Sequence, residues 1–465
     1  MKKLFFILLA LITLTLTACK QNEEVENGST ASDTVNTGDD SSDFVDNETW
    51  SSTISLVWDG TDVTVTGSAD GVTVTHSNGY VTVTSSAKHI EYALSGSGTG
   101  QLSIYSDYKF KLSLNGLTLS CSDGPAINNQ CSKTCYAVLG GTNSLSDGSS
   151  YASSSKDRKA AFFSEGQLCF SGAGSLTVTG NYKHALASDD YIRLCSGTGS
   201  IALTAKVSDG MHANDGIIIN DGTLTVNAAD EGIQCDESSV LITGGTVTVI
   251  SQTEGIEAKG VMQITGGTVY AQAKDDAINS GGDMTISGGL VMAYSTGNDG
   301  IDANGNCYIT GGTIYAIGAS SPEVAIDANS EERKQLYVQG GTLVAIGGLE
   351  SGASLSQTCY SAASVSKNTR YALYSGSDLV FVFKTPSSFS SSTFVVSTSG
   401  STALQSGVST TGGSSVLNGY ALSGATVSGG SSVTLSSYSA NSGGGPGGGN
   451  PGGGNPGRPS GPGGR

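Results

Sequence analysis

Acidic side chains recur along this sequence at a fixed offset from an apolar residue. Asp209, Glu231, Glu254, Asp276 and Asp299 stand two positions before Met211, Ile233, Ile256, Ile278 and Ile301. One position after the same apolar residues stand His212, Gln234, Glu257, Asn279 and Asp302, and Asp327 follows Ile326 in the same way. Asp230 and Asp275 each add an acid one step further upstream. Carboxylates, amides and backbone carbonyls are hard oxygen donors, the set that Ca²⁺ gathers about six to eight at a time. The expected metal ligands are therefore Asp209, Asp230, Glu231, Glu254, Glu257, Asp275, Asp276, Asp299, Asp302 and Asp327. The expected cofactor is Ca²⁺. Zinc is not expected. The four histidines (His76, His89, His184 and His212) lack metal-ligand spacing, and no CxxC pair occurs.

A repeat must position these acids. The steps between Met211, Ile233, Ile256, Ile278, Ile301 and Ile326 are 22, 23, 22, 23 and 25 residues. Degenerate copies precede them at KAAFFSEGQLCFSGAGSLTV (from 159) and HALASDDYIRLCSGTGSIAL (from 184), and an earlier one at DGPAINN (from 123). Within each copy apolar residues alternate with period two. The inward pairs include Ile217/Ile219 and Met284/Ile286 in a second element and Val247/Val249 and Ile314/Ala316 in a third. This is the strand signal, and the GGT turns supply backbone angles that side chains disfavour. Three short strands per 22–25 residues describe an all-β parallel β-helix. Propeller blades are about twice as long, and helical repeats need a 3.6-residue period. Cys235 and Cys307 fall in core columns and read as small buried apolar residues.

Equivalent residues of adjacent coils stack about 4.8 Å apart. Two carboxylates at that spacing repel by roughly 3 kcal/mol at an effective dielectric near 20. Repeated along a ladder, the repulsion calls for a shared cation, which is why stacked acids differ from a single solvated turn acid.

The flanks divide the rest of the chain. Residues 1–19 have a basic start, an apolar run and LTAC at the end, as in a lipoprotein signal, with Cys19 as the lipidated residue. Residues 20–49 read as a disordered acidic tether, 50–120 as an N-terminal β cap, 121–350 as the β-helix and 351–438 as a β-rich C-terminal cap. Residues 439–465 read as a disordered Gly/Pro-rich tail. A membrane contact through lipid alone is expected, in the bacterial envelope at the outer membrane or cell surface. Lys2 and Lys3 leave with the signal, so the mature charge is 22 − 2 − 40 = −20. That balance argues against nucleic acid as a partner. The eight cysteines after Cys19 are free to form disulfides in such a compartment. The chain is expected to be a monomer.

The succession YKFKLSLNGLTLSCSDGPAI (108–127), NSLSDG (143–148), GSLTVTGNYKHAL (174–186), DGMHANDGIIINDGTLTV (209–226), EGIEAKG (254–260) and NDGIDANGNCYITGGT (298–313) resembles a family of bacterial surface carbohydrate-binding domains. These form right-handed parallel β-helices similar to polysaccharide lyases acting on pectin. The resemblance spans about residues 50–348. It implies Ca²⁺ at the DG-I-D/E corners and an acidic or plant cell-wall polysaccharide as partner. Departures are Val324, where an acid leads the other copies, and His212 and Gln234 in the second column. They centre the metal expectation on the middle copies. A lyase would need a basic Lys beside a metal-bound uronate, and Lys259 or Lys274 could serve. The two remaining readings are a binder, with Tyr270 and Tyr315 on an outer strand face stacking on sugar rings, and a structural adhesin stalk.

Overall fold

In an extended chain, residues two apart face the same side, and here the alternating apolar residues all turn inward. The computed structural model describes residues 41–440. Its described residues hold strands and four short 3-10 turns, with no α-helix. In the first-strand ladder Met211, Ile233, Ile256, Ile278 and Ile301 pair one on the next in parallel register, and Ile301 bridges to Ile326. The degenerate copies join the same ladder through Ile127–Asn129, Ala160–Ser164 and His184–Ser188. A second ladder stacks Ile217, Val240, Met262, Met284, Cys307 and Leu336, and a third stacks Leu224, Val247, Val269, Val291, Ile314 and Leu343. All of these side chains are buried in one continuous core. The expected all-β parallel β-helix is thus the observed architecture. Between the second and third strands Gly245, Gly267, Gly289, Gly312 and Gly341 hold φ of 74–88°, a region open to glycine at little cost.

The helix begins earlier than the sequence suggests. Ile90–Thr99 already pairs in parallel with Ser52–Gly60 on one side and Phe110–Ser120 on the other. Only the hairpins Ser52–Gly60/Asp62–Thr66 and Val72–Ser77/Tyr80–Ser85 contribute antiparallel pairing at this end. Residues 41–49, expected as tether, are instead ordered. Asp43 is buried and accepts a hydrogen bond from Arg193 Nη1 at 2.6 Å, and Tyr191 donates to its other oxygen. Phe44, Val45 and Trp50 pack on Tyr136, Cys169 and Cys195. An acidic composition pointed to solvent, but one carboxylate facing a buried guanidinium reverses that. All eight described cysteines are buried free thiols, so the disulfide expectation does not hold here. Residues 1–19 with Cys19, residues 20–40 and residues 441–465 lie outside the described residues.

The C-terminal segment does more than close an end. Phe394–Ser397 runs antiparallel to Thr342–Ile346 and terminates the third ladder. A six-stranded antiparallel sheet, including Arg370–Ser375 and Asp378–Lys384, then folds against the side of the helix. The outward third-strand column runs Thr225, Thr248, Tyr270, Met292, Tyr315, Val344. From Tyr270 onward it is apolar and needs cover. Phe381, Phe383, Phe394, Tyr371 and Tyr420 supply it, with the Tyr315 and Phe383 rings 5.1 Å apart and Tyr270 stacked on Tyr420 at 5.9 Å. Tyr270 and Tyr315 are 1% and 0% exposed. They are core residues of this second cluster, and no sugar ring can reach their faces.

Ile278→Ala removes a fully buried side chain from the first ladder, where neighbouring coils cannot collapse without losing register. The expected loss is about 2–5 kcal/mol in urea unfolding. Thr225→Ala, on the uncovered part of the third-strand face, should stay within about 0.5 kcal/mol.

Candidate cation-binding acid ladder

The residue between two inward positions of each first strand turns outward, and parallel register stacks these residues. His212, Gln234, Glu257, Asn279 and Asp302 form one column, which Asp327 continues across the Ile301–Ile326 bridge. The acids two positions before the core residue sit in the turn entering the strand, beside this column. Several are deeply placed: Asp209, Glu257, Asp276 and Asp299 are 2–7% exposed.

The densest group lies toward the C-terminal end. One carboxylate oxygen each from Asp299, Asp302 and Asp327 lies within 4.8 Å of the others. The backbone fixes their neighbours. Asp299 N–H donates to Asp276 Oδ1 at 2.9 Å, Val324 N–H donates to Asp299 Oδ1 at 2.5 Å, and Asn279 Nδ2 donates to Asp276 Oδ2 at 3.0 Å. Val324 thus serves the ladder through its amide although its side chain breaks the acidic pattern. Glu350 also belongs to the column, since Leu349 bridges to Ile326. It was missed in the sequence, yet Leu349 follows Ile326 by 23 residues, the ordinary step.

Crowding shows in the proton affinities. Burial, then the charge of Asp302, pushes Asp276 up to about 8. Burial leads again for Asp299, at about 7, and for Asp302, at about 6, with Asp302 and Glu323 as the respective neighbouring charges. Burial and a hydrogen bond shared with Glu350 push Asp327 well above the carboxylate range. All the side-chain donors here are oxygens, and their negative charge is under-compensated. That set suits a hard divalent cation.

The middle of the ladder is quieter. Lys259 Nζ sits 2.5 Å from Glu257 Oε1, and Gln234 Nε2 donates to Glu257 Oε2 at 3.0 Å. Burial acts to lower the Lys259 ammonium, but its hydrogen bond and charge pairing with Glu257 outweigh this and hold it above its usual value. Burial raises Glu254. Asp275 is exposed and accepts from Asn298 Nδ2 at 2.6 Å, and Lys274 is exposed beside it. Metal-competent groups therefore gather at the two ends, not in the middle as the sequence suggested.

At the N-terminal end Asp209 groups with Asp230 and Glu231, and also with His184 and His212. Burial, then the contact with Asp209, raises Glu231. The two histidines are distant in sequence. Register brings them together, because Ala187 pairs with His212 and so places His184 in the coil beside Asp209. Aligning the degenerate copy at 184 with the one at 209 would have revealed the pairing; a search for spacing within one segment could not.

The family described as carbohydrate-binding domain-containing protein matches residues 77–328. The chain belongs to this family. The match takes in every acid predicted as a ligand and leaves Glu350 and the C-terminal sheet outside. Among solved structures, a polysaccharide lyase-like protein from C. thermocellum, determined as a gadolinium derivative, is similar at 21% identity with a TM-score of 0.39. The alignment covers 59% of this chain and 96% of that one. No curated protein matches the chain.

Asp276, Asp299 and Asp302 hold protons more tightly when folded than the ordinary value of 3.8. The native state therefore binds more protons than the unfolded chain between about pH 4 and 8. Stability in the presence of chelator should be full at the acidic end and fall as pH rises through that window. Thermal midpoints measured in chelator from pH 5 to 8 should show this decline, and Asp302→Asn should flatten it. A flat wild-type profile would mean that the acids ionise without penalty.

Proposed function

We propose that the protein is a cell-envelope polysaccharide binder whose acid ladder holds Ca²⁺ and through it engages an acidic, pectin-like polymer. The observation that carries this is the Asp299–Asp302–Asp327 group, extended by Glu350, within a chain of the carbohydrate-binding family. A mature charge of −20 repels a uronate polymer unless a cation stands between. When bound, Ca²⁺ supplies positive charge and coordination positions that sugar carboxylates can fill. The chain's own part is to hold the carboxylates in place: Val324 N–H fixes Asp299, and Asp299 N–H with Asn279 fixes Asp276. Lys259, paired with Glu257 and above its usual proton affinity, is suited to holding a proton and not to abstracting one. This favours binding over lyase chemistry. Residues 1–19 supply the lipobox, so Cys19 is the proposed anchor.

A pull-down on pectate and on cellulose, with and without chelator, tests the reading. Binding to pectate should depend on Ca²⁺, cellulose should bind weakly, and absorbance should detect no unsaturated products. Added Ca²⁺ should raise the thermal midpoint, by about 2.7 kcal/mol of stability at a hundredfold excess over its dissociation constant. Asp299→Ala with Asp302→Ala should blunt both effects. Chelator-insensitive binding, or product formation lost in Lys259→Ala, would overturn the proposal. Separately, Cys19→Ala should release the protein from the membrane fraction, and unchanged fractionation would refute the anchor.

A further inference from the structure

Two imidazoles converge on one carboxylate oxygen at the N-terminal end of the ladder. His184 Nδ1 lies 3.1 Å and His212 Nδ1 2.9 Å from Asp209 Oδ2. The two rings stack with centroids 4.2 Å apart and planes 22° from parallel. The three side chains are 12%, 9% and 2% exposed. Behind His212, its other nitrogen, Nε2, is 3.3 Å from Asp236 Oδ2.

Hydrogen bonding alone does not settle this arrangement. His184 Nδ1 receives the Asp209 backbone N–H at 3.4 Å, which needs a lone pair on the nitrogen. The same nitrogen faces Asp209 Oδ2, which needs a proton on it. One nitrogen cannot meet both demands. A cation among His184 Nδ1, His212 Nδ1 and Asp209 Oδ2 would take the His184 lone pair in place of the long 3.4 Å contact from the Asp209 N–H and would remove the repulsion between that lone pair and the carboxylate. Metal–ligand bonds of about 2.1 Å in a tetrahedral arrangement set neighbouring ligand atoms roughly 3.4 Å apart, near the observed 3.1 and 2.9 Å, and the stacked rings must turn for both lone pairs to meet one ion. Asp236 then accepts the Nε2 proton of His212, the second-layer carboxylate that orients ligating imidazoles.

The donor type separates this place from the oxygen-only group at Asp299, Asp302 and Asp327. Ca²⁺ takes oxygen ligands, whereas imidazole suits borderline transition metals. We propose that His184, His212 and Asp209 form a distinct site for a transition-metal dication of the Zn²⁺ class, with Asp236 positioning His212 and the remaining coordination positions open. The site needs no Ca²⁺ elsewhere and stands independently of the proposed polysaccharide binding.

The test uses the full mature chain, stripped with chelator, dialysed and titrated with Co²⁺ alone and then Zn²⁺ alone. Co²⁺ should produce a saturable visible absorption band that Zn²⁺ abolishes and excess Ca²⁺ does not. His212→Gln copies Gln234, which occupies the same column one coil on, so the fold has room for it. It should lose the band while keeping the Ca²⁺-dependent rise in thermal midpoint. Asp236→Asn should weaken Co²⁺ binding about 10- to 100-fold without abolishing it. Asp299→Ala with Asp302→Ala should leave the Co²⁺ band intact. The proposal is overturned if the wild-type chain gives no band, or if the band persists in both His212→Gln and His184→Gln. Far-UV circular dichroism matching wild type in either histidine variant makes its loss of the band a loss of ligand.

Discussion

Parallel strands in register place every side chain about 4.8 Å from its equivalent in the next coil, so whatever one coil carries is stacked on the same kind of group above and below. For apolar residues this is favourable throughout, and the Met211-to-Ile301 column runs as an unbroken core. It also stacks Tyr308 on Tyr337 with planes 7° apart. For acids the same geometry is a liability. Each part of the ladder meets it differently: an ammonium at Glu257, amides at Gln234 and Asn279, imidazoles beside Asp209, and backbone N–H groups at Asp276 and Asp299. Among the described residues three carboxylates converge with neither Lys nor His among them at Asp299, Asp302 and Asp327 and again at Asp209, Asp230 and Glu231, and only the second group shares an acid with histidines.

The features legible in the sequence were those that repeat. A 22–25-residue step in apolar residues defines the coil, and offsets of two before and one after locate the acids. Glu350 obeys that step and was readable in principle. What could not be read were contacts between segments that do not repeat. Tyr270 and Tyr315 alternate outward just as Thr225 and Thr248 do, and nothing local in the strand says that a sheet some hundred residues later covers two and not the others. Residues 41–49 have the composition of a solvated tether, and only the distant Arg193 makes Asp43 a buried anchor. His184 opens the degenerate copy at 184, and its approach to Asp209 shows only when that copy is set in register on the one at 209.

Burial also sorts the faces by availability. From Tyr270 onward the third-strand face is closed by the C-terminal sheet. The first-strand face keeps its outward column partly open, with Gln234, Asp302 and Asp327 half-buried. Charge, cation donors and access coincide on that face.

Two segments lie across the helix like splints. The segment from Asp43 to Trp50 spans the coils carrying Tyr136, Cys169 and Tyr191–Cys195, and Arg193 is tied onward to Asn220. The C-terminal sheet spans the coils from Ile250 to Ile346. Among the described residues, the stretch between Gly222 and Val249 carries neither. Duplicating or deleting a coil elsewhere would break the spacing between a splint and the side chains it grips. Inside that window a coil can be gained with both splints in register, but the window also holds Asp230, Glu231 and Asp236 of the N-terminal cation-competent end, so a coil lost there would take those acids with it.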